Sequence, residues 1–217
     1  MDSRRLRIAL INVAVMLAFM AALALTSCSQ PPQPSSEAKT ASPAKEAAIP
    51  AGPVTGKTAL WVMAKSAHTW ARDMTPLTLK SGSVPGTKNE GGKAVMWTAT
   101  FGSAGKHEAR TFTFATVGSA DVTKGVTIGK GLPWSGPSSD VMPFQATDAD
   151  LAVDSDAAFQ TASTLAEKWL KQHADKEAAI SLGNAARFPG AVWYVHWGDQ
   201  KTGFAVLVNA KTGVVQK

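Results

Sequence analysis

A single cysteine, Cys28, stands in 217 residues, so no disulfide can close within one chain. The four histidines, His68, His107, His173 and His196, form neither a His-x-x-x-His nor a His-Glu-x-x-His pair. A zinc site would therefore have to assemble from distant positions. No Gly-x-Ser-x-Gly turn raises a serine beside a base, as nucleophilic catalysis requires. The glycines of GKGLPWSGPSSD (129–140) lead into no helical pattern, which excludes a phosphate-binding loop. Charge is thin and scattered: the formal net charge of +6 falls to +4 once Arg4, Arg5, Arg7 and Asp2 are removed with an N-terminal segment. So mild an excess, with no lysine cluster, argues against nucleic acid as a partner. No motif names a reaction, and no cofactor or metal is expected.

What the sequence does have begins at its amino end. MDSRRLR (1–7) carries three arginines and IALINVAVMLAFMAALAL (8–25) carries no charge, the order of an export signal. The run also meets the lower length bound for a membrane span, which leaves an uncleaved signal anchor as the alternative. Leu25, Thr26 and Ser27 precede Cys28, and Leu-Thr-Ser-Cys resembles the lipobox of bacterial lipoproteins. That resemblance implies a signal peptide over 1–27, cleavage before Cys28, and lipidation of its sulfur. The bilayer would then be a partner through acylated Cys28. One myristoyl chain gives only marginal binding, whereas two or three make attachment effectively permanent. Arg4 and Arg5 suggest a twin-arginine signal, but Arg7 occupies a place that such signals keep apolar, so ordinary secretion is expected. Ser29 in place of aspartate implies the outer membrane, facing the periplasm, if the organism is diderm.

Residues 28–55 then read as the acylated cysteine and a tether. They are rich in Pro, Ser and Ala and contain no aromatic residue, too little to bury against anything. A flexible chain of that length reaches about 30 Å. An extended segment docked on the domain is the alternative.

From residue 56 onward the sequence shows one small pattern twice. TALWVMAKSAHTWARDM (58–74) spaces Leu60, Met63, Ala67, Trp70 and Met74 as an amphipathic helix does, with Pro76 as its stop. AAFQTASTLAEKWLKQHA (157–174) repeats that spacing with Phe159, Ala162, Ala166, Trp169 and Leu170, after the caps Asp154 and Ser155. Trp70 and Trp169 are expected to anchor helix to sheet. Strands are expected over 77–81, 94–101 and 109–116, and again over 178–182, 191–197, 203–210 and 213–216, since turns this short suit antiparallel pairing. AVMWTATFG and AVWYVHWG look like one strand written twice. The fold class is therefore α+β: two related helix-plus-antiparallel-sheet units, 56–128 and 154–217, joined by a connecting segment 129–153, with the helices on one sheet face.

The stretch VWYVHWGDQKTGFAVLVNAKTGVV (192–215) resembles the PepSY domain, a small extracytoplasmic helix-plus-sheet module whose last turn reads like Val-Asp-Ala-x-Thr-Gly-x-Val. Val208, Asn209, Ala210, Lys211, Thr212, Gly213 and Val214 fit that turn, with Asn209 in place of aspartate. Asn suits it, because its side chain can cap nearby N–H groups, and Gly213 would take a positive φ. The first unit fits more loosely, because residues 114–125 lack the turn. The resemblance implies non-enzymatic work, such as binding or inhibiting a peptidase.

Three candidate sites follow. Asp148, Asp150, Asp154 and Asp156 crowd one stretch; the expected role is helix capping, with calcium as the alternative. Trp134 is the aromatic suspected of exposure and hence of binding, with packing against its own domain as the alternative. A hydrolase would have to pair Asp199 or Glu108 with a histidine such as His196. The function expected is a non-catalytic, membrane-anchored protein- or peptide-binding module, possible partners being an envelope protein or peptide; the alternatives are an envelope hydrolase and a structural envelope protein without a specific ligand.

Overall fold

The computed structural model describes residues 49–199 and 201–216. The export signal, Cys28 and the tether up to residue 48 lie outside the described residues. Helix α1 (Gly56–Trp70) starts at the N-cap Thr55, whose hydroxyl accepts from the Thr58 N–H, and ends where Ala71 turns extended. It stops well short of Pro76, which already belongs to strand β1 (Thr75–Gly82). Strands β2 (Met96–Ser103), β3 (Glu108–Ala115) and β4 (Gly125–Pro133) follow, then helix α2 (Ser155–Leu170), capped by Asp154. Strands β5 (Ala178–Gly183), β6 (Val192–Trp197), β7 (Phe204–Asn209) and β8 (Val215–Gln216) complete the chain.

The strands form a single sheet in the order β4-β3-β2-β1-β5-β6-β7-β8, antiparallel at every pairing. The fold is thus α+β, and each half contributes one helix and four strands. The halves meet at β1 and β5, through Thr78 opposite Gly183, Leu79 opposite Leu182 and Lys80 opposite Ser181. The connecting segment expected from residue 129 instead begins inside a strand: β4 runs on to Pro133 along the whole of β3. Gly125, Gly129, Gly131 and Pro133 gave that stretch the composition of a loop. An edge strand tolerates them, because its outer N–H groups pair with nothing.

The core lies between the helices and one sheet face and runs unbroken through both halves. Its centre is a pair of fully buried tryptophans on strands, Trp97 and Trp193, with ring centroids 6.5 Å apart at 69°. A buried indole N–H needs an acceptor. Trp97 donates to the Val54 carbonyl at 3.0 Å and Trp193 to the Val153 carbonyl at 2.8 Å. Each acceptor immediately precedes the N-cap of its half's helix, so these two rings anchor helix to sheet. At about 25 cal/mol per Å² over about 150–250 Å², each contributes up to about 4–6 kcal/mol. The expected anchors Trp70 and Trp169 also pack against this core, half-buried near the helix ends. Trp70 packs on Phe112 of β3 beneath Arg110, and Trp169 packs on Phe204 of β7 and stacks on His173.

The first turns of the two helices are also tied together. Four N–H groups at a helix start lack intrahelical partners. The Gly56 N–H donates to Ser155 Oγ at 2.8 Å and the Lys57 N–H to Asp154 Oδ1 at 2.9 Å. Ser155 Oγ in turn donates to the Gly92 carbonyl at 2.7 Å.

Candidate functional site

Strand alternation gives the sheet a second face, which the helices leave open. One row of paired residues crosses that face through all eight strands: Thr127, Thr113, Thr98, Lys80, Ser181, Tyr194, Leu207 and Gln216. On the N-terminal side it is a lawn of threonines, where Thr98 and Thr113 share a hydroxyl hydrogen bond of 3.2 Å. On the C-terminal side it becomes a groove of about 390 Å³. Lys80, Ser181, Tyr194 and Leu207 line it along the sheet, and Asp140, Val141, Arg187 and Phe188 line it from the connecting segment and the β5–β6 loop.

Those two walls are stitched to each other and to the sheet. The Met142 N–H donates to the Asn184 carbonyl at 3.0 Å, the Ala186 N–H to the Ser139 carbonyl at 3.0 Å, and the Phe144 N–H to the Pro76 carbonyl at 3.1 Å. Asn184 Nδ2 donates to the Pro143 carbonyl at 3.1 Å. Such bonds preform a groove, so a ligand need not order it on binding.

The charged side chains of the groove are not paired with one another. Among the described residues Lys80, Arg187 and Asp140 make no ion pair; the Arg187 guanidinium lies 4.6 Å from the Phe188 ring centroid. Asn184 commits its Nδ2 to the Pro143 carbonyl, and its Oδ1 is buried. Tyr194, the single tyrosine of the chain, stands exposed in the groove and stacks on His196 at 5.7 Å. None of these five residues was singled out as a binding group from the sequence. The alternation of AVWYVHW does place Tyr194 and His196 on one face; Lys80, Asn184 and Arg187 join them only through the β1–β5 pairing and the loop beside it.

The residues that were singled out lie elsewhere. Trp134 is half-buried: its backbone N–H donates to the His107 carbonyl at 3.0 Å, and its ring lies so close to Gly102 that a Cβ there would come within 2.9 Å of it. It covers the sheet of the N-terminal half and takes no part in the groove. Asp154 caps α2 and also accepts from α1. Asp156 stands in the first turn of α2, Asp148 pairs with Lys57 at 3.5 Å, and Asp150 accepts from the Thr147 hydroxyl at 2.6 Å. The four acids thus answer to different partners, and among the described residues no group of three or more His, Cys, Asp and Glu is arranged to hold a metal ion.

Both carboxylates suggested for hydrolysis are held by neighbours. Asp199 accepts from the Lys201 N–H at 2.8 Å, the Thr202 N–H at 2.9 Å and the Thr202 hydroxyl at 2.7 Å. The Thr202 hydroxyl first, then these N–H groups, bring its pKa down to about 2. His196 Nε2 lies 3.2 Å from the Asp199 backbone carbonyl, not from the carboxylate. Glu108 accepts from Arg110 Nε at 2.8 Å and pairs with its Nη2 at 2.6 Å. Of the other histidines, His68 lies exposed on α1, His107 sits at φ 52° in the β2–β3 turn, and His173 Nδ1 contacts the Trp169 carbonyl at 2.9 Å.

No protein-family model matches the chain, and no curated protein matches it in sequence. Among solved structures, a Clostridium difficile 630 protein provisionally described as a lipoprotein is similar at a TM-score of 0.47 and 12% identity, over 73% of this chain and 90% of that one. A likeness that slight carries neither fold nor function across.

Proposed function

We propose that the protein is an extracytoplasmic lipoprotein, anchored through acylated Cys28, whose two PepSY-like units form one scaffold that binds a protein or peptide without catalysis. The observation that carries the binding role is the preformed groove, where Lys80, Arg187 and Asp140, none in an ion pair among the described residues, meet an exposed tyrosine and an apolar lining. The binding surface is assigned to Tyr194 rather than to Trp134, whose ring is spent on Gly102. Anchorage is assigned to Cys28 on the likeness of Leu25-Thr26-Ser27-Cys28 to a lipobox.

Two measurements test this reading. Capture from envelope extract should recover a partner with the parent chain and lose it with Tyr194→Ala; recovery that ignores Tyr194 sinks the assignment of the groove. Cys28→Ala should release a correctly folded protein from the membrane fraction. Retention of that variant in membranes would instead favour the uncleaved signal anchor.

A further inference from the structure

Resting on the peptide-binding reading, the geometry points to one class of ligand: an acidic peptide, its carboxylates taken by Lys80 and Arg187 and its apolar side chains by the lining around Leu207 and Phe188. The groove holds two cations and one anion, Asp140, none of them in an ion pair among the described residues. Surface cations that lack a carboxylate of their own attract one from a ligand, and such complementarity governs which partner is accepted. Lys80 lies in the sheet and Arg187 in the loop wall, so a ligand meeting both must lie across the groove rather than touch its rim.

A peptide brings together the carboxylates and the apolar side chains that such a groove takes. The apolar lining of Leu77, Val192, Leu207 and Phe188 suits the remaining side chains. An acidic polysaccharide matches the charge alone and leaves that apolar surface facing hydroxyls.

Asp140 makes the proposal sharp, because it bears the sign of the ligand. Removing either cation should weaken binding, and neutralising Asp140 should strengthen it.

The test is titration of the full purified chain with three peptides that alternate Ala with Glu, Gln or Lys. The Glu peptide should bind tightest, and added salt should erase its advantage. Lys80→Met and Arg187→Met should each weaken the Glu peptide about two- to fivefold, their combination should remove the preference for Glu over Gln, and Asp140→Asn should tighten the Glu peptide about twofold. Circular dichroism of each variant confirms that the fold is kept. Equal or tighter binding of the Gln or Lys peptide, weaker binding by Asp140→Asn, or tighter binding of polygalacturonate than of the Glu peptide overturns the inference. If the Gln peptide matches the Glu peptide and Tyr194→Ala weakens both, the groove binds peptides without regard to charge, and only the inference falls. If none of the three peptides binds and capture from the envelope is also insensitive to Tyr194, the peptide-binding reading falls with it.

Discussion

The two halves of the sheet present matching inner faces and different outer ones. Inside, Trp97 and Trp193 hold corresponding places, as do Phe101 and Trp197, all four buried in one core. Outside, the strand that carries Thr98 and Thr100 in the first half carries Tyr194 and His196 in the second, and Thr113 gives way to Leu207. Inner positions answer to packing density and to the fixed gap between helix and sheet, so both halves solve them alike. Outer positions answer to water or to a ligand. The halves thus share one solution inside and differ outside, a face of short hydroxyls in the first and a walled groove in the second.

The largest test of that correspondence is at its centre. Trp97→Ala and Trp193→Ala should each destabilise the protein by about 3–5 kcal/mol, measured by denaturant unfolding, and should do so to within about 1 kcal/mol of each other because both rings make the same bond to the residue before a cap. A near-neutral result for either would break the equivalence of the halves.

Next comes the knot that ties the two helix starts. Gly92 sits at φ +82°, and a Cβ there would stand 2.5 Å from the Ser155 carbonyl oxygen and 2.6 Å from the Asp156 Cα. Gly92→Ala should cost about 2–3 kcal/mol, since backbone has to move. Gly86→Ala offers the control, with φ +79° and nothing within 4 Å; backbone strain alone should cost about 1 kcal/mol. Equal losses at both would show that the close approach of the halves is not what holds Gly92.

The caps sharpen the comparison further. Asp154 serves the Ser155 N–H of its own helix and the Lys57 N–H of the other, while the Thr55 hydroxyl accepts from Thr58 alone, at 3.4 Å. Asp154→Ala should cost about 1–2 kcal/mol and Thr55→Ala about 0.5 kcal/mol. A reversal of that order would remove Asp154 from its shared role.

Much of the scaffold could be read from residue spacing alone. Both helices stand where three- and four-residue steps put them, and the Asn209 turn closes as its residues suggest: Asn209 Oδ1 accepts from the Lys211 and Thr212 N–H groups and Gly213 takes φ +73°. Helix ends were less legible. At Ala71 the chain turns extended before apolar periodicity gives out, because Asp73 is claimed by Ser103 and Gly105 at 2.7 Å each. Trp70 and Trp169 are legible as anchors because helical steps show over long windows, and both pack on sheet residues, Phe112 and Phe204. Trp97 and Trp193 are the more deeply buried pair, which strand alternation points toward the helices. The groove is not legible in the sequence because Lys80 and Tyr194 belong to different halves, and only the ladder through Ser181 makes them neighbours.

The smallest effect compares two turns within the second half. Asp199 to Gly203 and Asn209 to Gly213 share the ending Lys-Thr-Gly, and in each the first side chain accepts from two N–H groups and a threonine hydroxyl. Only the first turn can titrate. Asp199 has its pKa lowered from 3.8 to about 2, chiefly by the Thr202 hydroxyl, so its carboxylate binds protons less readily folded than unfolded. Stability from that turn is therefore present in full above about pH 4 and is lost as pH falls toward about 2. Asp199→Asn should flatten this part of the acid unfolding profile, whereas Asn209→Asp should deepen it, a contrast read from thermal midpoints between pH values of about 2 and 5. The shift should be small, because the carboxylate is exposed and salt screens it. An Asp199→Asn profile that still falls as steeply as the parent's would assign the acid sensitivity to another carboxylate, with Asp73 next in line because the Gly105 N–H and the Ser103 hydroxyl lower its pKa in the same way.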